Sequence, residues 1–122
     1  MANILVADDE ELARFTIREI LEAEGHTVVE AKNGVEAIAL FNKNPTDLII
    51  TDIIMPDKEG IETIIELKRD HPEVKIIAIS GGGRTRNLDF LDLAKRYGAN
   101  VILAKPFSED ELLGALGEVL GQ

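Results

Sequence analysis

Residues 47–56 read Asp-Leu-Ile-Ile-Thr-Asp-Ile-Ile-Met-Pro, and the run Leu48-Ile49-Ile50-Thr51 that ends on Asp52 decides the fold. A short apolar run rich in β-branched residues, with no polar alternation, has the character of a strand buried on both faces. Three other runs share its form: Ile4-Leu5-Val6-Ala7 before Asp8-Asp9, Ile76-Ile77-Ala78-Ile79 before Ser80, and Val101-Ile102-Leu103-Ala104 before Lys105. In an open α/β sheet of parallel strands the carboxyl ends form one edge, and ligands bind in the crevice there. Residues far apart in sequence then meet. Three acids, a hydroxyl and an ammonium suit a divalent cation beside a phosphoryl group, with Asp52 at the centre of the set.

Between the runs lie amphipathic segments, giving a β-α alternation five times over and an α/β fold with helices on both faces of the sheet. Ala13, Ile17, Ile20 and Leu21 share one helical face with Leu12 and Phe15 beside it, and Gly25 closes that helix. His26 to Ala31 reads as the second strand, Asn33-Gly34 as a turn, and Ala37, Ile38 and Phe41 as the second helix before Pro45. A connection through Pro56 and Gly60 leads to a helix with Ile61, Ile64 and Ile65 inward, and Pro72 keeps the next segment from being helical. The fourth strand runs from about Val74 to Ser80. Gly81-Gly82-Gly83 then gives a joint before a helix carrying Phe90, Leu93, Ala94 and Tyr97, which Gly98 terminates. After Lys105-Pro106, Ser108 and Glu111 form a capping-box signature ahead of Leu112, Leu113, Leu116 and Leu120.

The 122 residues make one ordinary domain, spanning 1–122. With no cysteine there is neither a disulfide framework nor a thiolate metal site, and the cytoplasm is the default location. No apolar run approaches the roughly 20 residues of a membrane span. A formal net charge of -10 argues against direct nucleic-acid binding, which depends on cationic side chains neutralising phosphates.

Taken singly, each candidate has a plainer reading. Asp8-Asp9 suits a helix N-cap continued by Glu10 and Glu11, Asp52 a turn acid, Ser80 a strand-end hydroxyl and Lys105 a solvated base. Their joint occurrence at the ends of four different strands favours a functional site.

Together, residues 4–10 (Ile-Leu-Val-Ala-Asp-Asp-Glu), 47–56, 77–80 (Ile-Ala-Ile-Ser) and 105–107 (Lys-Pro-Phe) resemble the receiver domain of two-component response regulators, over essentially the whole chain. The resemblance implies a doubly wound, five-stranded parallel sheet of flavodoxin-like order 2-1-3-4-5. It implies Asp52 as the phosphoacceptor that attacks a phosphohistidine. It places Mg²⁺ on Asp9, Asp52 and the Ile54 backbone carbonyl, with Asp8 acting mainly through a water. Lys105 would neutralise a phosphoryl oxygen, Ser80 would donate to the phosphoryl group and move toward it, and the Lys105-Pro106 bond would be cis. The implied partners are a sensor histidine kinase or phosphotransfer protein and a downstream protein target, with a phosphorylation-dependent dimer as a further option.

Some positions depart from the family pattern. Three residues before Lys105, where the family often has Tyr or Phe, stands Ile102, and a triple glycine follows Ser80. The glycines read either as an accommodating loop or as a hinge that carries the signal. The interval from Ser80 to Gly98 is about three residues longer than the resemblance suggests, which leaves the place of the intervening helix open. The expected activity is that of a switch, limited to self-catalysed phosphoryl transfer to its own Asp and autodephosphorylation. Two rivals are a haloacid-dehalogenase-type phosphohydrolase and a receiver that binds partners without phosphorylation. The first needs a second Asp two residues after the nucleophile, where this chain has Ile54; the intact acids, Ser80 and Lys105 speak against the second.

Overall fold

The computed structural model describes residues 1–53, 60–80 and 94–121. Five strands, β1 (Asn3–Ala7), β2 (Thr27–Ala31), β3 (Leu48–Asp52), β4 (Ile76–Ser80) and β5 (Val101–Ala104), form one parallel sheet in the order β2-β1-β3-β4-β5. Four helices are bounded among the described residues: α1 (Glu11–Ala23), α2 (Gly34–Lys43), α3 (Gly60–Asp70) and α4 (Glu109–Leu120). Residues 94–97 are also helical.

The apolar runs are continuous because both faces of the sheet are covered. Successive side chains of a strand point to opposite faces, and the two cores divide accordingly. Leu5, Ala7, Ile49, Ile76 and Ala78 pack with Ala37, Ile38 and Phe41 of α2 and Ile64 and Leu67 of α3. Ile4, Val6, Leu48, Ile50, Ile77 and Ile79 pack with Ile17 and Leu21 of α1 and Leu112, Ala115 and Leu116 of α4. The doubly wound order puts its reversal between β1 and β3, and the crevice opens at their carboxyl ends.

Punctuation in the sequence acts much as its chemistry predicts. Gly25 (φ 92°) and Gly98 (φ 130°) take left-handed backbone at helix ends, which suits residues without a Cβ. The Ser108 side chain accepts from Glu111 N–H while the Glu111 carboxylate accepts from Ser108 N–H, a complete capping box. Asn33, in the turn signal read at the start of the second helix, is the N-cap of α2 and accepts from Glu36 N–H at 2.8 Å. His26 lies just outside β2; its Nδ1 accepts from Ala2 N–H at 3.0 Å. One expected inward face needs correction, that of α3. Ile65 is exposed, and α3 buries Thr63, Ile64 and Leu67. Leu12 and Phe15, read as lying beside the inward face of α1, are exposed, and that face buries Arg14 together with Ile17 and Leu21.

Candidate functional site

Register levels the strand ends. Ala7 pairs with Thr51, Asp52 with Ile79 and Ser80 with Ala104, so the residues that end or follow β1, β3, β4 and β5 line one edge. Asp8 and Asp52 are almost fully buried, at 1% and 5% exposure, whereas Asp9 is exposed. Each of these three acids offers a carboxylate oxygen, and the three atoms lie within 4.8 Å of one another. Lys105 reaches in from the end of β5: its Nζ donates to Asp8 Oδ2 at 2.7 Å and to Asp52 Oδ2 at 3.3 Å, with Glu10 Oε1 at 3.7 Å. The Lys105–Pro106 bond is cis.

The electrostatics follow from burial. Burial pushes the Lys105 ammonium down, but the hydrogen bond and charge of Asp8, followed by those of Asp52, outweigh it and hold the group above the ordinary lysine value. Two buried carboxylates share one cation. The donor set is all oxygen, as a hard divalent cation requires, and three converging acids beside one ammonium leave a surplus of negative charge for such an ion to offset. The residues present therefore fit a metal centre.

Asp8 is not a helix N-cap. Its Oδ1 accepts from Glu10 N–H at 2.9 Å, and Glu10 itself occupies the cap position without a side-chain hydrogen bond. Of the residues singled out in the sequence, Asp8, Asp9, Asp52 and Lys105 come together, and Ser80 ends β4 on the same edge. Ile54, Gly81-Gly82-Gly83 and most of the segment expected to form the helix before Gly98 lie outside the described residues. Ile102 packs, partly buried, against the α2–α3 core.

Two residues of the site's surroundings escaped the sequence reading. Gly60, read only as part of a connection, starts α3 against the end of β3: its N–H donates to Ile53 O at 3.0 Å, and a Cβ there would fall 2.3 Å from Ile53 Cα and 2.4 Å from Asp52 O. Arg14 was hidden among the apolar positions of α1. Its Nη1 donates to the Asp8 backbone carbonyl at 2.8 Å and its Nε to Glu30 Oε1 at 3.0 Å, while Arg18 Nη1 meets Glu30 Oε2 at 2.6 Å. The hydrogen bonds of Arg18 and then Arg14 hold the Glu30 carboxyl below its usual range against the opposing effect of burial. The only sequence signal was the four-residue spacing of Arg14 and Arg18.

Comparison with known proteins settles the family. The family model described as the response regulator receiver domain matches residues 4–117. The chain belongs to that family. A chemotaxis protein CheY of Halobacterium salinarum is 35% identical over 118 residues, covering 97% of this chain and 96% of that protein. The sporulation initiation phosphotransferase F of Bacillus subtilis is 31% identical over 118 residues, covering 97% and 93%. A response regulator receiver domain protein of Clostridium thermocellum superposes with a TM-score of 0.91 at 32% identity, covering 99% of this chain and 95% of that one. Receiver domains are the phosphoacceptor switches of two-component signalling, working between histidine kinases and downstream effectors, and this chain is a member. No helix among the described residues is long and apolar enough to cross a membrane.

Proposed function

We propose that Asp52 is the phosphoacceptor of this receiver and that the chain, a single receiver domain over residues 1–122, signals by changing its affinity for a protein partner. The observation that carries the reading is the convergence of Asp8, Asp9 and Asp52 within 4.8 Å, with Lys105 donating to two of them. A carboxylate oxygen of Asp52 attacks the phosphorus of a phosphohistidine on a sensor kinase or phosphotransfer protein. The P–N bond breaks, the imidazole leaves with its electron pair, and an acyl phosphate forms. Lys105, 3.3 Å from Asp52, would neutralise a phosphoryl oxygen, and Ser80, the last residue of β4, would donate to another. Asp8, Asp9 and Asp52, with the Ile54 carbonyl, would hold Mg²⁺. Bound there, the ion offsets the charge of carboxylates and phosphoryl group together.

The donor must bring its phosphoryl group over the mouth of the crevice. Beside Lys105 an apolar cavity of about 550 Å³ lies between α1 and the segment Pro106-Phe107, with Leu12 on its wall. We place the donor's contact there, because covering it brings a phosphohistidine to the same edge as Asp52. The chain's own chemistry is then limited to phosphoryl transfer onto Asp52 and hydrolysis of the resulting acyl phosphate, and it works in the cytoplasm, where histidine kinases present their phosphohistidine.

Incubation with acetyl phosphate and Mg²⁺, followed by intact-mass measurement, tests the assignment. One phosphoryl group labile to hydroxylamine is expected in the wild type and none in Asp52→Asn. A wild-type mass that stays unchanged, or equal labelling of Asp52→Asn, removes Asp52 from the role.

A further inference from the structure

Asp8 sits at the junction of β1 and α1, and the segment that carries both Asp8 and Asp9 is short. Its backbone is held at two points by this chain: Asp8 N–H donates to Ala31 O on β2 at 3.1 Å, and the Asp8 carbonyl accepts from Arg14 Nη1 at 2.8 Å. The second tie is unusual in kind. Arg14 is 8% exposed, so its charge is almost wholly withdrawn from water. A buried guanidinium is costly unless its donors are matched. Here the fork is divided, with Nε on the Glu30 carboxylate of β2 and Nη1 on the Asp8 carbonyl. Arg18, one turn further along α1, takes the other oxygen of Glu30 and so fixes the carboxylate that orients Arg14.

We infer that Arg14 is a positioning residue for the metal-holding acids: through the Asp8 carbonyl it sets the backbone from which Asp8 and Asp9 project toward Asp52. The inference rests on the metal-holding role proposed above for those acids. Among the described residues the hydrogen bonds of Arg14 go to Glu30 and to the Asp8 carbonyl, so it acts on the segment that carries two of the three acids. Partners that orient metal ligands commonly change affinity by about 10- to 100-fold when lost. Arg14 also ties α1 to β2, so loss of stability alone cannot separate positioning from simple cross-linking. Metal affinity can.

The experiment is an NMR titration of the ¹⁵N-labelled, unphosphorylated protein with MgCl₂, alongside urea unfolding without metal. Arg14→Met removes both donors. Arg14→Lys keeps the charge but offers one nitrogen in place of two separate donor atoms. Glu30→Gln weakens the α1–β2 ion pair while leaving an acceptor for Arg14. Asp9→Ala serves as the control for the metal reading itself. The expected result is a Mg²⁺ Kd raised about tenfold in Arg14→Met, raised by a smaller factor above twofold in Arg14→Lys, and within twofold of wild type in Glu30→Gln despite its lower stability. If Arg14→Met does not fold, Arg14→Lys carries the test alone. A normal wild-type response with the Arg14 variants within twofold of it overturns the inference and leaves Arg14 as a structural tie. A wild type without a Mg²⁺ response, or one equal to that of Asp9→Ala, overturns the metal reading and the inference with it.

Discussion

Lys105 Nζ stands 2.7 Å from Asp8 Oδ2, closer than its 3.3 Å to the phosphoacceptor candidate Asp52. One cation thus serves two buried acids whose oxygens lie within 4.8 Å, a spacing at which like charges repel by roughly 3 kcal/mol at an effective dielectric of 20. Lys105→Ala leaves that repulsion uncompensated. Breaking a fully buried pair costs about 3–5 kcal/mol; the Lys105 side chain retains some contact with solvent, so a loss of about 2 kcal/mol in metal-free urea unfolding is expected. Saturating Mg²⁺ should restore more stability to Lys105→Ala than it adds to the wild type, while labelling by acetyl phosphate falls. An equal Mg²⁺ increment in both proteins would show that Lys105 and the ion do not compensate the same charges.

Gly60 is required for a close approach and not for an unusual φ. Because the atoms a Cβ would meet are backbone atoms of Asp52 and Ile53, no side chain can swing away to admit it. Gly60→Ala should therefore destabilise by about 2–3 kcal/mol, in the upper part of the range for overpacking, and should slow labelling at Asp52 by displacing the strand end. Gly114 gives the contrast. A Cβ there meets nothing within 4 Å, and in the middle of α4 Gly114→Ala should stabilise by about 0.5–1 kcal/mol with labelling unchanged. Equal stability changes in the two variants would refute the packing argument.

The strands were legible because a run such as Leu48-Ile49-Ile50 is apolar on both faces, and the site was legible because Asp8, Asp52 and Lys105 each follow such a run. Strand order was not. Periodicity gives elements but not neighbours, and the order 2-1-3-4-5 was reached only through the resemblance to receivers. Arg14 was illegible because a buried cation looks like any helix-surface arginine until Glu30 and the Asp8 carbonyl are brought to it. Leu12 and Phe15 flank the inward stripe of α1, and spacing alone could not say on which side the stripe ends. Gly60 looked like loop composition because a contact with Asp52 O has no signature in the chain itself.

The Arg14–Glu30–Arg18 cluster has a pH signature. Arg18 and Arg14 lower the Glu30 pKa in the folded protein below its ordinary value of 4.5. A depressed carboxyl contributes stability that is fully present above the unfolded value and is lost as pH falls through the folded one. Between neutral pH and acid, the stability advantage of the wild type over Glu30→Gln should hold steady down to about pH 5 and shrink below it. Urea unfolding of both proteins across that range checks the sign. Parallel curves down to the lowest pH at which both fold would mean that Glu30 is not held down by its arginines.

The apolar cavity beside Lys105 yields the prediction that separates chemistry from partner contact. Leu12 is 76% exposed on its wall, so replacing it costs little in folding, within about 0.5 kcal/mol for a surface change. A protein donor that covers this wall loses an apolar contact and meets a buried charge in Leu12→Glu. A loss of 1–2 kcal/mol at such a contact is ordinary, which corresponds to a rate lower by roughly 5- to 30-fold. Acetyl phosphate needs only the carboxylate cluster and Lys105. Transfer from a phosphorylated histidine kinase that labels the wild type should therefore slow in Leu12→Glu, while labelling by acetyl phosphate stays within about twofold. If both donors slow equally, the substitution has disturbed Asp52 and not the contact surface. If neither slows, the donor approaches the crevice from another side, and the assignment of the cavity falls while that of Asp52 stands.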